Sequence, residues 1–188
     1  DTSKIEEAIT KKTKAIMPVH LTGRMAQMDI IMDISNHYKI GVIEDSAQSI
    51  GSKFNEQYSG SIGHVGCFST HPLKNLNACG DGGFLITRDK NIAQRVRLLR
   101  NHGLIDRNTV TEFGHVSRMD ALQAAILTYR LGKLDDVTSK RRHNAALYDN
   151  LLDQNYCFIP EPDDKLFNTY HTYVIQVSNR DGLQKYLT

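Results

Sequence analysis

The chain has 188 residues, of which 40% are apolar and 23% charged, and a formal net charge of +2 at pH 7. Such a composition excludes a disordered or fibrous chain and is long enough for one domain with a real core. Its densest basic cluster, Lys140-Arg141-Arg142-His143, falls in a predicted helix without interleaved aromatics, which reads as a solvated helix face and argues against a nucleic-acid partner.

In chain order, Ile5 to Ile9 reads as the end of a helix and Lys14 to Val19 as a strand. Ile30, Ile31 and Ile34 recur at helical spacing ahead of Tyr38, and Gly41 to Glu44 is a short apolar run suited to a buried strand. Val65 to Thr70 and Phe84 to Thr87 are two more predicted strands, with a loop carrying Lys74 between them. Asp89 is the N-cap expected for a helix whose Ile92, Val96 and Leu99 form a stripe and which Gly103 stops. Asp120 is placed to cap another helix, with Leu122, Ala125, Ile126 and Tyr129 on one face. Leu134 to about Leu152 is a long predicted helix, Asn155 to Asn168 with Pro160 and Pro162 a connection, and Tyr173 to Val177 a strand. This alternation predicts an α/β sheet covered by helices, then the start of a smaller lobe.

Cys67, Cys79 and Cys157 are odd in number and lack metal-ligand spacing, so no disulfide framework and no zinc site is expected. The absence of a long apolar run or an opening signal peptide leads to a cytoplasmic expectation, with no membrane partner.

Two segments carry chemistry. In Phe68-Ser69-Thr70-His71-Pro72-Leu73-Lys74-Asn75-Leu76 the lysine sits in a bend between strands, where its amine can be held at a pocket mouth, the posture of a Schiff-base lysine; taken alone, any lysine defaults to the surface. In Gly41-Val42-Ile43-Glu44-Asp45 a buried strand ends on two carboxylates. Ligands of open parallel sheets bind at the carboxyl ends of strands, so Asp45 is expected beside a cofactor, with a helix cap as its plainer alternative. Glu44 then points to the opposite face. The lysine and the aspartate together suggest pyridoxal 5′-phosphate (PLP). Gly80, Gly82 and Gly83 do not join a strand to a helix in the dinucleotide order and read as a tight turn beside the lysine loop. His20 and His71 stand near the presumed crevice, where a histidine satisfied by hydrogen bonds is the plainer reading and a substrate contact the alternative.

Glu44-Asp45-Ser46-Ala47-Gln48, Gly60-Ser61-Ile62-Gly63, Phe68-Ser69 through Lys74, Gly80-Asp81-Gly82-Gly83, Arg100-Asn101-His102-Gly103 and Ser117-Arg118-Met119-Asp120 follow one another in an order that resembles the DegT-type (DegT/DnrJ/StrS) sugar aminotransferases. The resemblance implies the aspartate-aminotransferase fold, with residues 1–133 as a PLP-binding large domain lacking its N-terminal part. Residues 134–188 are then a linking helix and the start of a small C-terminal domain. Family members run to about twice this length, and the N-terminal Gly-Thr phosphate turn has no counterpart here, so the chain is expected to be a central fragment.

The implied function is transfer of an amino group, from a donor such as glutamate, to a nucleotide-linked keto-sugar, by a homodimer serving surface polysaccharide or deoxyaminosugar biosynthesis. Lys74 would form the internal imine and move the proton, and its presence argues against the related dehydratases, which carry histidine there. Asp45 would keep the pyridine nitrogen protonated. Ala47 would pack on the ring, Gln48 would reach the phenolic oxygen, and the Ser69 hydroxyl would donate to the phosphate. A helix surface position for Gln48 and a local turn bond for Ser69 are the plainer readings. A truncated non-catalytic fragment, or another PLP reaction on the same fold, are the alternatives for the whole. One position departs from the pattern: Gly114-His115-Val116-Ser117-Arg118 has Val116 where the family commonly places an asparagine that crosses to the partner subunit's cofactor phosphate, and valine cannot do so.

Overall fold

A computed structural model describes residues 1–188. After the short helix α1 (Ile5–Ala8) and strand β1 (Ala15–Ile16), α2 (Met28–Tyr38) turns Met28, Ile31 and Ile34 to the interior. It ends where Lys39 adopts a left-handed φ of 55° and returns its N–H to the Ser35 carbonyl. β2 (Gly41–Asp45) alternates as a pleated strand must, with Val42 and Glu44 buried and Gly41, Ile43 and Asp45 on the more open face.

β3 (Lys53–Phe54) and β4 (Gln57–Tyr58) form a hairpin whose two linking residues, Asn55 and Glu56, both have positive φ. β5 (Val65–Ser69) and β6 (Gly83–Ile86) follow, the latter antiparallel. The main sheet has the order β1-β2-β5-β6, its first three strands parallel, so their carboxyl ends share one edge. In that register Asp45 pairs with Cys67, two residues before Ser69.

Helix α3 (Lys90–Leu99) starts at Asp89, whose carboxylate accepts from Asn91 and Ile92 N–H. Its end is the Leu98 carbonyl, which accepts from Gly103 N–H as the chain turns at φ 70°. α4 (Ala121–Leu131) follows Asp120, but the Asp120 side chain makes no cap bond. The expected inward face of α4 is not inward: Leu122 and Tyr129 are about 70% exposed, and Leu127 is the residue it buries.

α5 (Leu134–Leu151) is the long helix predicted. The connection after it contains β7 (Cys157–Phe158) and β8 (Leu166–Phe167), and the following predicted strand shrinks to β9 (Gln176–Val177) before α6 (Arg180–Leu187). β8 pairs with β3, and Arg141 and Arg142 donate to the carbonyls of Tyr170, His171 and Asn168, so the segment 166–172 is laced to both α5 and the β3 region.

Two apolar clusters hold this arrangement. Met25, Met28, Ile31, Val42 and Phe54 form one beneath the sheet. Leu76 and Ala78, immediately after the lysine, pack with Leu127 to fasten the loop onto α4. The glycines after the loop serve close approach rather than unusual turning: a Cβ on Gly82 would stand 2.7 Å from Thr70 Oγ1, and one on Gly83 2.5 Å from the Phe68 carbonyl oxygen.

Candidate active site

Asp45 closes β2 at the shared carboxyl edge. Its backbone is gripped on both sides, N–H to the Pro18 carbonyl at 2.9 Å and carbonyl from His20 N–H at 3.0 Å. Its Oδ1 accepts from Ala47 N–H at 3.0 Å, an Asx turn that leads into no helix, so the helix-cap alternative does not apply. One carboxylate oxygen is thereby fixed locally while the other is uncommitted. Asp45, Ala47 and Ser69 line one open depression of about 270 Å³, together with Met17, Ile43, Cys67, Phe68 and Gly82. Burial pushes the Cys67 thiol above its ordinary range, with the Asp45 carboxylate adding to the shift.

Beyond β5 the chain bends. Ser69 Oγ accepts from His71 N–H at 3.3 Å, and Lys74 N–H donates to the His71 carbonyl at 2.8 Å. Asn75, buried beside the lysine, donates from Nδ2 to the Thr169 carbonyl at 3.0 Å. The Lys74 side chain is half-buried and forms no ion pair. His171 is its neighbour: burial, then the positive charges of Lys74 and Arg141, hold the His171 ring below the ordinary histidine pKa, and its Nδ1 is buried without a partner. Lys74 itself does not line the depression.

Gln48 does not line it either. Its carbonyl oxygen accepts from Thr22 N–H at 2.7 Å, which leaves its NH₂ group as the free end. Thr22 holds a left-handed φ of 63°.

Glu44 faces away from this edge, as strand alternation requires. It is 0% exposed and accepts from His20 Nε2 and from the N–H groups of Gly60, Ile62 and Gly63. Burial alone would raise its pKa, but His20 and these backbone donors hold it below the usual 4.5. His20 is therefore a core residue, and the alternative of a substrate contact is overturned by its full burial. His71 is exposed and 3.9 Å from Asp81. Val116 is 62% exposed and bridges to Asn101.

The residues fit PLP. A carboxylate, flat apolar walls from Met17, Ala47 and Phe68, and the Ser69 hydroxyl share one depression. The adjacent Thr70 Oγ1 is a buried hydroxyl without a partner. The loop that carries Lys74 leaves β5 directly after Ser69. Sequence reasoning missed the Glu44–His20 pair and the Thr22 contact. The available signal was a carboxylate two residues after Val42 on a buried strand face, a position that demands partners.

The model of the DegT/DnrJ/EryC1/StrS aminotransferase family matches residues 1–188. The chain belongs to this family. It is 42% identical over 187 residues to the dTDP-3-amino-3,6-dideoxy-alpha-D-galactopyranose transaminase of Aneurinibacillus thermoaerophilus, covering 100% of this chain and 52% of that protein. It is 41% identical over 190 residues to a pleiotropic regulatory protein of Geobacillus stearothermophilus, again 100% of this chain and 51% of the other. Among solved structures, DesV of S. venezuelae in complex with a ketimine intermediate superposes with a TM-score of 0.95 at 34% identity, covering 100% of this chain and 51% of that one. The DegT-family chain thus spans about half the length of the curated relatives it matches, and its fold is the aspartate-aminotransferase-like α/β fold of PLP aminotransferases.

Proposed function

We propose that the protein is a PLP-dependent aminotransferase that moves an amino group, from a donor such as glutamate, onto the keto carbon of a nucleotide-linked sugar, for surface polysaccharide or deoxyaminosugar biosynthesis. The observation that carries this is the convergence of Asp45, Ala47 and Ser69 on one depression at the carboxyl edge of parallel strands, with the Lys74 loop leaving the same edge. Relatives named as dTDP- and UDP-sugar aminotransferases support the substrate class.

PLP, when bound, supplies an aldehyde carbon that captures amines and a ring that withdraws electrons. Around it, each residue has a task set by its chemistry. Asp45, with one carboxylate oxygen free, would keep the ring nitrogen protonated, since an adjacent anion favours the charged form. Ala47 would pack against the ring. Gln48, its carbonyl held by Thr22, would donate from its NH₂ to the phenolic oxygen. Ser69 would donate to the phosphate as a neutral group that does not compete with Asp45. Lys74 Nζ would hold the cofactor through its aldehyde carbon and serve as the group that takes and returns the proton.

In this reading residues 1–133 belong to the cofactor-binding large domain and 134–188 to the linking helix and the start of the small domain. We place the enzyme in the cytoplasm as a homodimer. The support is that no helix is long and apolar enough to cross a membrane, that the three cysteines are free, and that apolar side chains such as Phe113, Val116 and Leu122 are exposed.

The test is the donor half-reaction of the full-length protein carrying this sequence. With PLP and glutamate, one equivalent of 2-oxoglutarate per site should form, and a panel of nucleotide keto-sugars should then recover the amino group. A protein that binds PLP yet takes no amino group from glutamate or other common amino acids would contradict the proposal.

A further inference from the structure

The chemistry above leaves the buried pair His20 and Glu44 without a task. Both are 0% exposed and 2.8 Å apart. A carboxylate is retained in such a place only where donors surround it, and Glu44 has four: His20 Nε2 and the N–H groups of Gly60, Ile62 and Gly63. The opposite ring nitrogen of His20, Nδ1, accepts from Ala26 N–H at 3.2 Å. The hydrogen-bond pattern therefore puts the ring proton on Nε2, facing Glu44.

What this pair fixes in space is the strap Pro18 to Thr22. The strap meets the candidate site at three points. The Pro18 carbonyl accepts from Asp45 N–H at 2.9 Å, His20 N–H donates to the Asp45 carbonyl at 3.0 Å, and Thr22 N–H donates to Gln48 Oε1 at 2.7 Å. Thr22 makes that last bond from a φ of 63°, a conformation that a threonine rarely adopts unless its neighbours hold it. Gly23, next in line, lies so close to the 169–171 segment that a Cβ there would stand 2.7 Å from Tyr170 N. The strap is thus clamped at His20 from inside the core and at Gly23 from above.

We propose that His20 and Glu44 are positioning residues for the cofactor-holding groups: the pair anchors the strap that sets the Asp45 backbone and the direction in which Gln48 presents its NH₂. The proposal rests on the reading of Asp45 and Gln48 given above. Glu44 and Asp45 are consecutive, so one strand sends its inward carboxylate to the anchor and its outward carboxylate to the site. Movement of the anchor is felt at the site through two backbone bonds and one side-chain bond, without any contact between His20 and the cofactor.

Three variants of the full-length protein test this, with hydrogen exchange over residues 18–26 in the cofactor-free protein and the pH titration of the visible absorbance of bound PLP as readouts. His20→Leu removes the donor to Glu44. Glu44→Gln is nearly isosteric and neutral, and in either amide orientation it sets an NH₂ group against two donors, His20 with Gly60 or Ile62 with Gly63, which keeps the test alive should the leucine variant not fold. His20→Gln retains a donor toward Glu44. The first two should speed exchange at the Thr22 amide at least about tenfold and shift the absorbance midpoint by half a unit or more, while His20→Gln restores both toward the wild type. A lowered melting temperature with unchanged exchange at Thr22, or faster exchange with an unchanged midpoint, would overturn the proposal and leave the pair a stabilising one only. A wild-type protein that takes up no PLP would instead overturn the functional reading itself, so the two failures are distinguishable.

Discussion

At the scale of single residues, the division of labour between Glu44 and Asp45 decides what β2 contributes. Adjacent in sequence, they are separated by the pleat: one is sealed with His20 and three backbone donors, the other opens on the depression with one oxygen free. Asp45→Asn preserves shape and the bond from Ala47 but removes the charge. In the full-length protein PLP should still bind, while proton abstraction in the glutamate half-reaction should slow on the order of a hundredfold, about 2.7 kcal/mol of activation free energy. Stopped-flow absorbance separates the two quantities, and near-normal half-reaction rates would reduce Asp45 to a turn residue. The strand that ends at Asp45 and the loop that carries Lys74 were legible in the sequence, because an apolar strand-like run precedes each. The strap was not, since nothing in the letters Pro18 to Thr22 discloses that Thr22 takes a left-handed conformation to reach Gln48.

At the scale of elements, regular runs were readable and most two-residue strands were not. α2, β2, β5, β6, α3 and α5 carry enough residues for a hydrophobic period to show. β3, β4, β7 and β8 have two residues each, too few to display any period, and their pairing is decided by tertiary contacts such as Lys53 with Phe167. The Asn55-Glu56 turn also lacks the glycine that flags a tight hairpin. The buried end of β2 makes a pH prediction. Glu44 in the folded state is held below its ordinary 4.5, so it contributes stability that is fully present above that value and is lost as pH falls through the lower folded-state value. Thermal unfolding of wild type and Glu44→Gln should therefore differ most near neutral pH and converge in acid. A gap that stays constant from pH 7 to pH 3 would show that ionisation of Glu44 contributes nothing.

At the scale of the whole molecule, the accessible surface is 13322 Å², against about 9,100 Å² expected for a compact monomer of this mass. The excess is half as much again, and large apolar side chains are among those exposed: Phe84, Leu85 and Ile86 of β6, Phe113, Val116, and Leu122 and Tyr129 of α4. Apolar surface of that extent marks contact with other protein. A polypeptide limited to residues 1–188 should accordingly self-associate, and light scattering after gel filtration should give masses above that of one chain; a stable monomer at tens of micromolar would contradict this. The apolar stripe of α4 has the period of a buried helix, yet within residues 1–188 only Leu127 of it is buried.

The central claim, that the Lys74 loop and the Asp45 edge together form a PLP site, is tested most directly by borohydride reduction of the full-length protein with PLP, followed by peptide mapping by mass spectrometry. The expected product is a reduced pyridoxyl adduct on Lys74 in stoichiometric yield. An adduct found mainly on another lysine, or none at all, would contradict it.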